Sequence, residues 1–165
     1  MASIARARAG LAETALVPQA DEVSVRVALA EVADPELPIV SIVDLGMVHR
    51  VTVENGSIRV ELLPTFVGCP ALDVIRSAVE ARLAPFGRPF EVDFTFAVPW
   101  TSDRISAGGL ERLRAAGIAA PGADVTCPWC DSVRVALDNL FGPTQCRSLY
   151  YCRACRQPFE GLKAV

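Results

Sequence analysis

The sequence predicts a small α+β domain followed by a C-terminal metal ribbon. Three observations carry that reading. Helical and strand periodicities alternate between residues 21 and 118 in the order α-β-β-α-β-α. Asn55-Gly56 separates two alternating segments, a strong short-range hairpin signal because a type I′ turn needs positive φ at both central residues. Two Cys-x-x-Cys pairs, Cys127-Pro128-Trp129-Cys130 and Cys152-Arg153-Ala154-Cys155, lie 21 residues apart, the spacing of a four-thiolate metal site.

Each element has a local cause. Residues 1–20 are rich in Ala and Arg, lack a clean period and are expected to form a mobile tail. Asp21 and Glu22 suit the positive end of a helix that Pro35 must stop near residue 33. Val23, Val27 and Ala30 make one stripe and Val25, Leu29 and Val32 another, so this helix is expected to be buried on much of its surface. Asp34-Pro35-Glu36-Leu37-Pro38 reads as a rigid turn, and 39–46 as an apolar loop holding Asp44. Met47, His49, Val51 and Val53 are expected on one face of the first strand, and Ile58, Val60 and Leu62 inward on the second. A helix then places Leu72, Ile75, Val79 and Leu83 on one side. A third strand over 91–98 presents Val92, Phe94 and Phe96 together. The last helix of the domain, over 106–116, closes at Gly117. A Pro/Gly hinge over 119–123 leads into a ribbon over 123–165, with strands at 132–140, 147–151 and 158–162.

Composition bounds the function. The chain has 165 residues, is 52% hydrophobic and 21% charged, and carries net charge −3, so it has material for a core and is not a disordered sequence. The ribbon holds five basic and four acidic residues, too weak an excess for phosphate binding. No membrane-length apolar run occurs, and Glu13 interrupts any signal-like segment, so a cytoplasmic protein is expected. In a reducing compartment, paired Cys-x-x-Cys motifs are more often metal ligands than disulfides. Four thiolates suit Zn²⁺ best, with a single iron as the chemical runner-up. A thiol-disulfide enzyme and a nucleic-acid-binding ribbon remain weaker readings.

Outside the ribbon, Cys69 is the leading candidate. Pro70 fits a first helical position, which would make Cys69 the N-cap with a lowered pKa. Asp34, Glu36, Asp44 and Thr65 are candidates to surround it, against plain solvated turns. His49, the single histidine, reads as a strand residue. Cys146 reads as a spare ligand, a redox partner or a small packed side chain.

Asp34-Pro35-Glu36-Leu37-Pro38, Asp44-Leu45-Gly46-Met47-Val48 and Thr65 through Gly68-Cys69-Pro70 resemble the iron–sulfur-assembly domain of SufT and the cytosolic iron–sulfur targeting proteins. Val98-Pro99-Trp100-Thr101-Ser102-Asp103, Gly117-Ile118-Ala119 and Phe141-Gly142-Pro143-Thr144-Gln145-Cys146, together with the four ribbon cysteines, extend the likeness to the PaaD family of accessory subunits of the phenylacetyl-CoA epoxidase system. The resemblance implies a non-catalytic subunit of phenylacetate catabolism that assists assembly or repair of iron or iron–sulfur centres. It implies other epoxidase subunits, oxygenase or reductase, as partners. Cys69 would be the functional thiol and transient site of iron or an iron–sulfur cluster, with Asp34, Glu36, Asp44 and Thr65 around it. Cys127, Cys130, Cys152 and Cys155 would hold one structural zinc. A general iron–sulfur carrier is the alternative. Phe66-Val67 stand where smaller or polar residues are commoner in the family, which implies a more apolar surround for Cys69.

Overall fold

The computed structural model describes residues 19–122 and 124–163. The tail expected over residues 1–20 lies, as far as residue 18, outside the described residues. Helix α1 (Glu22–Leu29) is started by a capping box: Asp21 accepts the Ser24 N–H at 2.7 Å, and Ser24 Oγ accepts the Asp21 N–H at 3.1 Å. Val25 and Leu29 are fully buried, whereas Val23 and Val27 are 72% and 63% exposed. Only one of the two expected stripes therefore faces the core. The helix also stops earlier than expected. The chain leaves it toward Val32 and then pairs Ala33 with Ser41 in an isolated bridge. The loop after Pro35 is a buried layer in its own right, with Leu37, Val40, Ile42 and Leu45 all below one-tenth exposure.

Gly46 ends that layer at φ +67, where a Cβ would stand 2.3 Å from the Arg104 carbonyl oxygen. Both the left-handed backbone and the close approach require glycine. Strands β1 (Val48–Glu54) and β2 (Ser57–Leu62) form the expected hairpin, with Asn55 and Gly56 at φ 50 and 78. The pairing slips between Val48 and Arg50, so the alternation expected through Met47 and His49 changes face there; Met47 and Val48 are both buried. Helix α2 (Leu72–Leu83) buries Ile75, Val79 and Leu83 and crosses over to strand β3 (Phe90–Phe94). The crossover makes β2 and β3 parallel, in a sheet of order β1-β2-β3. Helices α1 and α2 touch each other and the sheet, so they cover one face of it. β3 is shorter than the sequence suggests. Thr95 N–H still reaches Leu62 O, but Phe96 turns outward and is 60% exposed.

Helix α3 (Ala107–Ala115) is capped by Ser106, whose Oγ accepts the Gly109 N–H at 2.9 Å. Gly117 at φ +77 ends it. The chain does not enter a free hinge next. Ile118–Ala119 forms strand β4, which pairs in parallel with strand β7 (Pro158–Leu162). Strands β5 (Val135–Asn139) and β6 (Arg147–Cys152) complete a second sheet of order β4-β7-β6-β5. The main core runs on into this sheet through Ile118 and Leu162, and a small second cluster gathers Ala119, Phe159, Cys127 and Cys152. The two sheets are thus joined by backbone continuity through β4 as well as by side-chain packing.

Candidate metal centre and thiol cavity

The ribbon cysteines converge. Sγ atoms of Cys127, Cys130, Cys152 and Cys155 all lie within 4.8 Å of one another. Cys127 Sγ is 3.7 Å from Cys155 Sγ, and Cys130 Sγ is 3.7 Å from Cys152 Sγ. A tetrahedron with metal–sulfur bonds of ~2.3 Å has sulfur–sulfur edges of ~3.8 Å. The cluster therefore has the dimensions of an S₄ metal site and is far too wide for disulfides, whose sulfurs stand ~2.05 Å apart. Backbone N–H groups of Cys155 and Ala154 point at Cys152 and bring its thiol down to about 6, while burial and the neighbouring thiols push Cys155 up to about 12. Without an ion the four thiols thus share their protons unevenly, and Cys152 has the charge stabilisation that a thiolate ligand needs. The knuckle carrying Trp129 also packs on the turn that ends α3, since the indole ring occupies the space where a Cβ on Gly117 would lie.

The second site is a partly enclosed cavity of about 30 Å³ between the two sheets. Asp34, Glu36, Thr65 and Cys69 line it from the assembly-like domain. Asp44 does not. Its carboxylate accepts from Ser41 Oγ at 2.9 Å and Ser106 Oγ at 3.0 Å and lies 2.5 Å from Arg112, so it ties the 39–46 loop to α3. Burial pulls Asp44 upward, but the bonds from Arg112, Ser41 and Ser106 outweigh it and hold the carboxyl below its usual range. Asp34 is buried, and its Oδ1 accepts the Glu36 and Leu37 N–H groups at 2.8 and 2.9 Å. Burial raises its pKa despite those bonds.

Cys69 departs from the N-cap expectation. A turn at Pro70-Ala71 intervenes, Ala71 is the N-cap, and α2 begins at Leu72. Burial pushes the Cys69 thiol up; the Ala71 N–H pulls it down, and the charges of Glu36 and Asp34 push it up again. The net direction is upward, opposite to the expected depression. Phe66 lines the cavity as the apolar neighbour, while Val67 is 73% exposed outside it. His49 stays in β1 beside the register slip.

Sequence spacing leaves the place of Cys146 open. Its sulfur lies in the same cavity wall as Cys69, donates to Glu36 Oε2 at 3.4 Å and sits 3.1 Å from Thr144 Oγ1. Its neighbour Arg147 contacts the Glu36 carbonyl and pairs with Glu160 at 2.6 Å. Nothing in the local spacing of Cys146 announces this, because Glu36 lies 110 residues away in the chain.

Residues 22–92 match the family described as iron–sulfur cluster assembly protein, and residues 116–163 match the PaaD zinc β-ribbon domain. A protein of Escherichia coli (strain K12) that is assigned to the 1,2-phenylacetyl-CoA epoxidase as one of its subunits is 35% identical over 147 residues, covering 83% of this chain and 89% of its own length. The chain belongs to the PaaD family. The match spans both halves, which places the thiol cavity and the four-cysteine cluster within one PaaD-family chain. The assembly half alone is similar to an Fe–S protein maturation auxiliary factor of Bacillus subtilis (strain 168), 38% identical over 82 residues, covering 48% of this chain and 79% of that protein. It is also similar in structure to a domain of unknown function from Bacillus anthracis, with TM-score 0.52, 34% identity and coverage of 56% of this chain and 90% of that one. A conserved hypothetical protein of Thermotoga maritima gives TM-score 0.51 at 28% identity, with 58% and 95% covered. PaaD-family membership thus joins an iron–sulfur-assembly fold to a metal-binding ribbon. Among the described residues no helix is long and apolar enough to cross a membrane.

Proposed function

We propose that this chain is an accessory factor of the phenylacetyl-CoA epoxidase system that receives iron or an iron–sulfur unit as cargo at Cys69 and delivers it to other subunits. The observation that carries this reading is the placement of the Cys69 thiol in a small cavity beside the carboxyl groups of Asp34 and Glu36. Sulfur and carboxylate oxygen together suit a borderline divalent cation. The thiol proton must leave as the cation arrives, so the raised pKa of Cys69 opposes tight retention and favours release. Likeness to a subunit of that epoxidase supports the choice of client.

The ribbon has a different task in this reading. Its four cysteines complete a tetrahedral shell and leave no position for substrate, which is the mark of a structural zinc. When bound, the ion cross-links two turns of a segment too small to hold its shape by burial alone. The ribbon then presents a fixed surface to another subunit.

Substituting Cys69→Ala in a strain that makes the epoxidase tests the reading. Oxygenase activity and its iron content should fall while the zinc content of this protein stays at one per chain. Unchanged activity and iron would sink the proposal. The likeness to an Fe–S maturation factor favours a second reading, a carrier serving many apoproteins. A growth defect confined to phenylacetate argues for the epoxidase client, and a broad defect for the general carrier.

A further inference from the structure

We propose that Cys146 is a second cargo-binding thiol, and that the cargo site is a mononuclear one built across the junction of the two domains. The proposal rests on the reading of Cys69 as a cargo ligand and adds to it a donor from the ribbon.

Four groups of suitable chemistry face one void. Cys69 comes from the turn before α2, Asp34 and Glu36 from the turn after α1, and Cys146 from the approach to β6. The two thiols are not in the four-cysteine cluster, so closing that cluster leaves both free for other use. Cys146 is already oriented by ligand-like partners, with its sulfur on Glu36 Oε2 at 3.4 Å. Asp34 is only 6% exposed, and its Oδ1 takes two backbone N–H groups while Oδ2 accepts no hydrogen bond among the described residues. Every fully sealed side-chain polar atom among those residues has a partner, so Oδ2 is not sealed, and Asp34 is one of the residues that line the void. A carboxylate oxygen left open beside two thiols is a donor in waiting.

The size of the void limits what it accepts. A volume of about 30 Å³ is the room of about two water molecules. A single ion fits such a space. Nor are the donors drawn together beforehand. Among the described residues only the ribbon cysteines bring three or more donor groups close enough together to hold a metal ion as they stand. The cavity donors stand around the void and must close on an ion. Two sulfurs with one or two carboxylate oxygens match Fe²⁺ and its spectroscopic stand-in Co²⁺. Binding exchanges thiol protons for the cation and involves no electron transfer.

The test uses full-length, zinc-loaded protein titrated anaerobically with Co²⁺. One Co²⁺ beyond the zinc should bind and give a thiolate-to-cobalt charge-transfer band in the near ultraviolet. Cys146→Ser and Cys69→Ser should each remove about half of that band, and both together all of it. Each should weaken Co²⁺ affinity by at least the ~10-fold that even a ligand's neighbour commands. Glu36→Gln should weaken affinity without removing the sulfur band. Zinc content should remain one per chain in all variants, which reports that the ribbon is folded. A Cys146→Ser titration identical to wild type, with Cys69→Ser impaired, overturns the proposal and leaves the reading of Cys69 standing. Wild-type behaviour in both single variants overturns both.

Discussion

The indole N–H of Trp100 donates to the carbonyl oxygen of Leu45 at 2.7 Å, and both residues are buried in the wall of the thiol cavity. This bond fixes the loop after β3 against the buried loop that precedes β1. Trp100→Phe keeps most of the apolar contact and leaves the Leu45 carbonyl without its donor. A loss of about 1–3 kcal/mol is expected, the cost of an unsatisfied buried acceptor. Urea unfolding followed by circular dichroism measures it. A change below a few tenths would mean that the cavity wall does not depend on this bond.

Cys69 should behave as a sluggish thiol. Burial first, then Glu36 and Asp34, hold its pKa above the ordinary value. Alkylation by iodoacetamide, read at Cys69 by mass spectrometry, should therefore be slower at pH 8 than for an exposed cysteine and rise at higher pH. Glu36→Gln removes one like charge and should shift the rate profile to lower pH. A midpoint below that of a free thiol would contradict the upward shift.

Asp44 should give a pH-dependent stability. Its folded pKa is depressed, on balance, by Arg112, Ser41 and Ser106 against the effect of burial. A group of this kind stabilises above its unfolded pKa, and the contribution is lost as pH falls through the lower folded value. Asp44→Asn should cost about 1.5–3 kcal/mol at pH 7, the range for bonds to a charged group. The gap from wild type should close in acid, beginning near the unfolded carboxylate value of about 4. Thermal melts from pH 7 down to pH 3 measure it. A gap that stays constant with pH would assign the loss to packing.

Removal of metal should act on one sheet before the other. A chelator strong enough to strip the four-cysteine cluster should abolish hydrogen-exchange protection in β5 and β6. Protection in β1 and β2 should persist, since Val51, Ile58, Val60 and Leu62 are buried in the main core and do not need the ion. Equal loss in both sheets would show that the two domains unfold as one unit.

Much of this molecule can be read from residue spacing, because spacing records local physics. Asn55-Gly56 reports its own turn, Leu72 through Leu83 reports its own helix, and two Cys-x-x-Cys pairs report a tetrahedron. What spacing does not record is which of two apolar faces meets a neighbour. Val23 and Val27 look as apolar as Val25 and Leu29, and only α2 and the sheet decide between them. The Cys69-Pro70 step suggests a helix start, yet the turn at Ala71 moves the start to Leu72 and puts the thiol under two carboxylates. Cys146 is the least legible, since its place depends on β7 docking beside β4 across two domains. Asp44 shares a motif with Gly46 but turns to α3, a choice set by Arg112 and Ser106.

The parallel pairing of Ile118–Ala119 with Glu160 and Gly161 has a consequence for how the protein is made. During synthesis the first sheet can close as soon as β3 has emerged. The edge of β4 must then wait for some forty further residues before its neighbour exists, and Cys146, Leu162 and Lys163 arrive only with that last stretch. A nascent chain therefore displays Cys69 before Cys146, Leu162 and Lys163 arrive to wall in the chamber around that thiol. A chain halted before β7 would offer that thiol without a complete chamber.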